Sequence, residues 1–391
     1  MNAEEPRIWG YNRIDGSVGL RNKVLILPTV VCSSDTAASI SEKVDGTVTL
    51  YNQCGCCQIG EDARLTTKTL IGLGQNPNVA AAVVVALGCE EIPYQKVVDE
   101  IAKTKKLVEL VVIQDIGGTA KAIEHGVRVA GEMVKEVSSM KREEASLSSL
   151  TVALECGGSD WTSGIVSNPV VGAMVNQLVS AGGTALFSEA TEIIGAEHLL
   201  ASRTRNQQVA RKLLRAVTRV EKRVKQAGVD LREAQPTPGN IAGGLTTIEE
   251  KSLGAICKAG KQRIEDVLEY SDKIPRAKGL FFMDTPGQDI ESITGMVAGG
   301  AQIIVFTTGR GTPTGYPIAP VIKVTGNPET FRKMSGDIDF NAGTVIEGFE
   351  TIERAGARLT DELLQVASGK MTKAELSNHK EFAIYRAYPS V

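Results

Sequence analysis

The sequence predicts an α/β fold of two lobes, each built from a mostly parallel sheet flanked by helices. Three observations carry that expectation. Short, continuously apolar, β-branched runs recur along the chain, as in strands covered on both faces. Amphipathic stretches of helical length separate most of them, the pattern of repeated strand–helix units. At 391 residues the chain also exceeds what one hydrophobic core usually holds.

The units follow in order. KVLILPTV (23–30) precedes CSSDTAASISEKV, where Ser33 or Ser34 offers a helix cap. TVTLYN (47–52) precedes EDARLTTKTLIGLG. AAVVVALG (81–88) precedes a helix near 94–104, and LVELVVI (107–113) a long helical segment over 117–137. Together they make a first α/β domain over 1–140. SSMKREEASLSS (138–149) is polar and charged, as an interdomain linker is, with the linker proper at 141–149. The pattern restarts in a second α/β domain over 150–391. Its strands are expected at 150–156, 183–190, 279–284, 301–309 and 320–326, and its helices over 168–181, 197–227 and 289–299.

Composition narrows the function. Hydrophobic residues make up 42% and charged residues 23%, ordinary for a soluble globular protein. The net charge is −3 with Lys and Arg scattered, so neither a nucleic-acid footprint nor a polybasic membrane patch is expected. The basic segment 203–227 reads as the solvated face of an amphipathic helix. The acidic start is no signal peptide, and no apolar run reaches the roughly 18 residues of a membrane helix. A cytoplasmic protein follows, in which clustered thiols mean metal or catalysis more often than disulfides. No G-x-G-x-x-G follows the first strand, and neither a Walker-type G-x-x-x-x-G-K nor a G-x-S-x-G elbow occurs.

Chemistry concentrates at the ends of strands, where an open α/β sheet places its ligands. Three of seven cysteines, Cys54, Cys56 and Cys57, fall in YNQCGCCQIGED (51–62), and Cys32, Cys56, Cys89 and Cys156 all lie at or just beyond strand ends. Each alone could be a small buried hydrophobe. As a set, convergent thiolates of Cys56, Cys89 and Cys156 suit an iron–sulfur cluster with one iron open, or a softer mononuclear site. Cys54 and Cys57 are read as neighbours. FTTGRGTPTGYP (306–317) places Arg310 for a carboxylate, with hydroxyls from Thr307, Thr308, Thr312 and Thr314. Ser159 and Asp160 in ECGGSDWTSG flank the Cys156 strand end. Asn240 and Lys251 belong to GNIAGGLTTIEEKSLG, a third wall in which Thr246 and Thr247 could equally be helix caps. With only three histidines, His125, His198 and His379, a His-rich metal site is excluded. His125 reads as structural. Lys251, His198 and Glu189 are the candidates for a base.

Taken together, GYNRIDGSVGLRNKVLILPTV, GCCQIGED, LTTKTLIGLGQNPNVAAAVVVALGCE, CGGSDWTSGIVSNPVVG, GNIAGGLTTIEEKSLG and FTTGRGTPTGYPIAPVIKV resemble the altronate/galactarate dehydratase family, which includes the large subunit of (2R)-sulfolactate sulfo-lyase. The likeness runs from about Gly10 to about Gly343. It implies a lyase that eliminates a β-substituent from a small 2-hydroxy acid: water from a sugar acid such as altronate or galactarate, or sulfite from sulfolactate to leave pyruvate. It also implies dependence on iron, as Fe2+ or an iron–sulfur cluster. Family dehydratases carry a small domain ahead of this region, so a separate small subunit and a hetero-oligomer are expected here. Two departures bear on substrate. Ala255 stands where relatives carry Cys after KSLG, with Cys257 two residues later, and GCCQ replaces GCSQ.

Overall fold

The computed structural model describes residues 6–275 and 278–391; residues 1–5, part of the start that reads as no signal peptide, lie outside them. The chain opens with β1 (Arg7–Asn12) and β2 (Val18–Gly19), then runs through β3 (Lys23–Pro28), β4 (Thr47–Thr49), β5 (Val79–Ala86) and β6 (Leu107–Val112). These last four form a parallel sheet of order β4-β3-β5-β6. Every residue of β5, VAAAVVVA, is buried, as a strand covered on both faces requires.

β7 (Glu143–Ser146) returns to pair antiparallel with β1. The predicted linker therefore contains a strand. It reads as linker because three of its four residues are exposed, so polarity alone conceals it. Seven strands follow: β8 (Thr151–Cys156), β9 (Thr184–Ser188), β10 (Ile264–Glu269), β11 (Gly279–Asp284), β12 (Ile303–Thr307), β13 (Val321–Thr325) and β14 (Phe340–Asn341). All pair in parallel, in the order β10-β11-β9-β8-β12-β13-β14. Mostly parallel sheets flanked by helices are the architecture that the apolar runs predict.

Helices Ser34–Glu42 and Thr119–Val137 cover the outer face of the four-stranded sheet. Asn168–Ser180, Gln207–Gln226 and Ile352–Ala367 cover the outer face of the seven-stranded sheet. Between the sheets lie Gly60–Gln75 and Asp289–Ala298, in one apolar layer that joins Leu25 and Leu27 of β3 to Phe281 and Phe306 of β11 and β12. Local differences from expectation have local causes. Ser33 Oγ donates to Val30 O and Val85 O, so it ties a loop down instead of capping a helix. The helix expected over 197–227 is two, Glu197–Ala201 and Gln207–Gln226, because Asn206 caps the second through Val209 N. That second helix turns Val209, Leu213, Ala216 and Val217 inward, while Lys212 and Arg219 pair with Asp266 and Glu269 outside, a solvated basic face. Among the described residues no helix is long and apolar enough to cross a membrane.

The amino edges of the two sheets meet at Asn78, just before β5. Its side-chain nitrogen donates to Gln302 O (2.7 Å) and Ile318 O (2.9 Å), and its oxygen accepts from Leu20 N (2.8 Å) and Arg21 N (3.3 Å). Asn78→Ala strands two buried N–H groups and two carbonyls, each costing about 1–3 kcal/mol when unpaired. The expected loss is at least about 3 kcal/mol, read from the urea midpoint at unchanged slope; a loss under about 1 kcal/mol would mean water replaces the amide.

Candidate active site

In the seven-stranded sheet the chain leaves β8 for β9 on one side, then returns to build β12 on the other, so β8 lies at a topological switch point. Its carboxyl end reads Glu155-Cys156-Gly157-Gly158. β9 ends at Ser188, and the next residue, Glu189, adopts the left-handed conformation with φ 72°. That conformation costs a non-glycine residue about 1–3 kcal/mol and persists where surroundings over-determine it. Here the Glu189 N–H donates to Thr285 Oγ1 (3.0 Å), and the turn Ala190–Ile193 folds Glu192 back over the strand ends. Helix Ile248–Ala255, capped by Thr247, and the turn Ile256–Ala259 bring in Lys251 and Lys258.

Lys258 is the hub. It is 2% exposed, with Nζ 2.8 Å from both Cys156 Sγ and Glu192 Oε2 and 3.5 Å from Glu189 Oε2. Lys251 Nζ stands 3.5 Å from Glu192 Oε1. Cys156 Sγ donates to Glu192 Oε2 (2.7 Å), and Ser292 Oγ donates to Glu155 Oε2 (2.7 Å). Asp289 opens the helix Asp289–Ala298, its carboxylate lying where a Cβ on Gly157 would sit.

The environment pushes these groups apart. Burial, then the Glu155 and Glu192 charges, raises Glu189 well above the usual carboxylate range; burial raises Glu155 as well. Burial, followed by Glu155 and Glu192, lifts Asp289 to about 7. Burial would also raise Glu192, but Lys258 and Lys251 outweigh it and bring it to about 2. For Lys258 and Lys251 the acidic neighbours overcome the lowering effect of burial, so both stay cationic. Burial and Glu192 keep the Cys156 thiol protonated. Acids forced to different affinities side by side are how one site supplies a proton donor and an ionised partner at one pH.

Two trios, Cys156–Glu189–Glu192 and Glu155–Glu189–Asp289, keep their donor atoms within 4.8 Å of one another, a spacing compatible with a metal ion. Lys258 already sits 2.8 Å from two donors of the first trio. The second is all oxygen, and its Glu189 Oε2 has no hydrogen-bond donor, so its donors fit a hard divalent cation.

A cavity of about 250 Å³ adjoins this cluster, with Lys251 in its wall beside Ser159, Trp161, Asn168 and Leu253. It is smaller than the roughly 300–1,000 Å³ of drug-sized sites. The predicted residues divide around it. Glu189 and Lys251 join the cluster. Arg310 is exposed at the β12 end, its Nη1 donating to Gly239 O (2.8 Å). Thr307 is bonded to Asn168 Oδ1, Thr308 accepts from Gly311 N, and Thr312 pairs with Thr314. Asp160 is spent internally: Oδ1 accepts from Thr162 and Ser163 and Oδ2 from Asn327. Asn240 completes a capping box with Thr237 and donates to Ser159 O. His198 is exposed on its short helix, outside the cluster.

Cys56, Cys89 and Cys156 do not meet around one ion. Cys156 is buried on the seven-stranded sheet, whereas Cys56 and Cys89 are exposed at the carboxyl edge of the four-stranded sheet. Among the described residues no trio of ligand atoms within 4.8 Å includes either of them. Strand-end position, on which the expectation rested, does not say which sheet a strand joins. Glu155, Glu192, Lys258 and Asp289 escaped the sequence reading. Their signal was a carboxylate at the inner end of an apolar strand, ALEC, and two glutamates three apart in SEATEI.

Residues 147–390 match the D-galactarate/altronate dehydratase C-terminal family, and residues 10–138 the second domain of D-galactarate dehydratase/altronate hydrolase. The (2R)-sulfolactate sulfo-lyase subunit beta of Chromohalobacter salexigens is 41% identical over 383 residues, 97% of each chain. The altronate dehydratase of Bacillus subtilis is 33% identical over 393 residues, 97% of this chain and 77% of that one. The galactarate dehydratase (L-threo-forming) of Escherichia coli is 36% identical over 404 residues, 97% of this chain and 76% of that one.

Removing Lys258 leaves buried acids without their cation, a loss that runs to about 3–5 kcal/mol for broken buried pairs. Lys258→Met is expected to lose that much at pH 7, measured by chemical denaturation; no change would show that the acids neutralise themselves. pH dependence follows from Asp289. Its folded pKa, about 7, lies above its ordinary 3.8, so the folded state holds the extra proton between them. That contribution is full below about pH 4 and is lost as pH rises through about 7. Asp289→Asn should flatten this fall in a plot of urea midpoint against pH; an unchanged slope would place the proton on Glu155 or Glu189.

Proposed function

Because the chain belongs to the D-galactarate/altronate dehydratase family and is an enzyme of the lyase class, we propose that it eliminates a β-substituent from a small 2-hydroxy acid, with (2R)-sulfolactate as substrate and sulfite and pyruvate as products. The observation that carries this choice is the 250 Å³ cavity walled by Lys251, whose small volume suits a three-carbon acid. The end-to-end match to a sulfo-lyase subunit supports it. A second reading, dehydration of altronate or galactarate to a 2-keto-3-deoxy acid, is favoured by the hydroxyl-rich loop of Thr307, Thr308 and Thr312, with Ser159 in the cavity wall.

In either reaction the C2–H bond breaks, the C2–C3 double bond forms, and the leaving group departs from C3 with its electron pair. The enol then tautomerises to the keto acid. Lys251, held cationic, is placed to bind the substrate carboxylate at the cavity wall. Arg310 takes the remote anionic group. Asp289, titrating near neutrality, is the group best matched to moving the proton. Glu192, held ionised, fixes both lysines. Iron, as Fe2+ or an iron–sulfur cluster, is the proposed cofactor, and when bound it supplies a Lewis acid for the carboxylate and hydroxyl oxygens. Fe2+ would be held by Glu155 and Glu189 as carboxylates, displacing the protons that burial keeps on them. We further place the chain in the cytoplasm, as the large subunit of a hetero-oligomer with a small subunit; the seven free thiols and the relative named as a subunit beta support this.

The test supplies (2R)-sulfolactate, altronate and galactarate separately to anaerobically purified protein, with and without a small partner subunit. Sulfite and pyruvate in equal amounts from sulfolactate are expected; keto acid from the sugar acids alone would overturn the substrate choice. Asp289→Asn should lower kcat by about 10²–10⁴-fold. Arg310→Gln should instead raise KM about tenfold or more with kcat nearly kept, and the opposite split would exchange their roles.

A further inference from the structure

We infer that the carboxyl edge of the four-stranded sheet is a second centre, an iron–sulfur cluster site ligated by Cys32, Cys56 and Cys89, separate from the acid–lysine cluster. This rests on the iron reading above and deepens it.

Four thiols, those of Cys32, Cys56, Cys57 and Cys89, are exposed at this one edge, while Cys54 beside them is buried. Exposure is unusual for cysteine, which is among the most buried residue types. The thiols come from loops after three adjacent strands: Cys32 after β3, Cys56 and Cys57 after β4, Cys89 after β5. β3 lies between the other two, and the chain builds β4 on one side of it and β5 on the other, so this edge is itself a switch point.

The loops are bound to one another rather than loose. Val31 N donates to Cys54 O (2.9 Å), Thr29 Oγ1 to Glu90 Oε1 (2.6 Å), and Gln58 N to Glu91 Oε2 (2.9 Å). Gly55 has φ 104°, and a Cβ there would meet Thr29 O at 2.4 Å, so the two loops can close only over a glycine. Cys57 is left-handed at φ 54°, a strained state that brings its sulfur to 3.6 Å from that of Cys56. The Cys57 thiol, first through its hydrogen bond, raises the Cys56 thiol above its ordinary value, and Cys32 and Glu91 add smaller raises.

Spacing selects the kind of centre. Around one tetrahedral ion, with metal–sulfur bonds of about 2.3 Å, sulfurs stand roughly 3.8 Å apart. The Cys56–Cys57 pair, at 3.6 Å, has such spacing, but among the described residues no trio of ligand atoms at this edge comes within 4.8 Å. The ends of β4 and β5, two strand spacings apart, are separated by about 9.5 Å. Such intervals fit a cluster in which each iron takes one cysteine sulfur. Three cysteines leave one iron of a four-iron cluster without a protein ligand.

The full chain is purified anaerobically, reconstituted with ferrous iron and sulfide and desalted; iron, acid-labile sulfide and the broad visible sulfur-to-iron absorbance are measured. Wild type is expected to hold all three. Cys32→Ser, Cys56→Ser and Cys89→Ser should each lose most of the sulfide and colour, with circular dichroism and thermal midpoint unchanged. Cys156→Ser should keep them. Iron or zinc bound without sulfide, or loss of colour in Cys156→Ser alone, would overturn the assignment. A sulfide-free chain that still turns over a hydroxy acid sinks this inference only; a cluster-bearing chain that turns over none sinks the proposed reaction only.

Discussion

One buried ammonium organises the site. Lys258 lies under Glu155, Glu189 and Glu192 and against the Cys156 thiol, at 2% exposure. Carboxylates at such depth would ordinarily neutralise themselves by taking up protons. With a single cation at the centre, only the acid nearest it, Glu192, is held ionised near pKa 2, while Glu189 and Glu155 are driven upward. The asymmetry has two parts: Lys258 Nζ is 2.8 Å from Glu192 against 3.5 Å from Glu189, and Glu192 also has Lys251 Nζ at 3.5 Å. The closer approach and the second cation make Glu192 the anion, while burial and its acidic neighbours make Glu189 the acid.

The fold supplies that arrangement cheaply. Parallel strands deliver all their carboxyl ends to one rim, so residues far apart in sequence, Glu155, Glu189 and Asp289, become neighbours without any long loop reaching across the molecule. Ser292 ties the rim to the layer beneath, donating to Glu155 while accepting from Thr285, which in turn holds the strained Glu189 backbone. Below Glu189 the Phe187–Phe282 pair, 5.0 Å between centroids at 62°, closes the floor. A polar site is thus set on an apolar base that cannot shift to relieve it.

Most of the architecture was legible because period and composition are local. KVLILPTV and AAVVVALG could be nothing but covered strands, and nine predicted runs contain strands. The edge strand Glu143–Ser146 was not legible, since Ala145 is its one residue packed on the core and a single alanine carries no apolar period. In the site, Glu189 was singled out by its strand end and Lys251 by the Gly- and Thr-rich segment that carries it. Asp160 and Asn240 were read as free for substrate, although their polar atoms are consumed in holding loops, a fact of hydrogen-bond accounting that no motif reveals. Lys258 was missed because a buried lysine looks in sequence like any lysine after a helix; its burial is decided by how the turn Ile256–Ala259 docks on Asn168–Ser180.

The cysteines show the same limit from the other side. Cys54, Cys56 and Cys57 crowd one turn, yet Cys54 points into the core while the next two face solvent, because Gly55 and the left-handed Cys57 reverse the chain between β4 and the helix Gly60–Gln75. Cys156, similar to them in local sequence, is a protonated thiol inside a charge cluster. A thiol kept protonated is a poor metal ligand, since coordination requires the thiolate. Chemistry that looked like one centre in the sequence therefore divides along the two sheets: proton handling where burial can set acid strengths apart, and soft donors where exposure leaves sulfur free to bind.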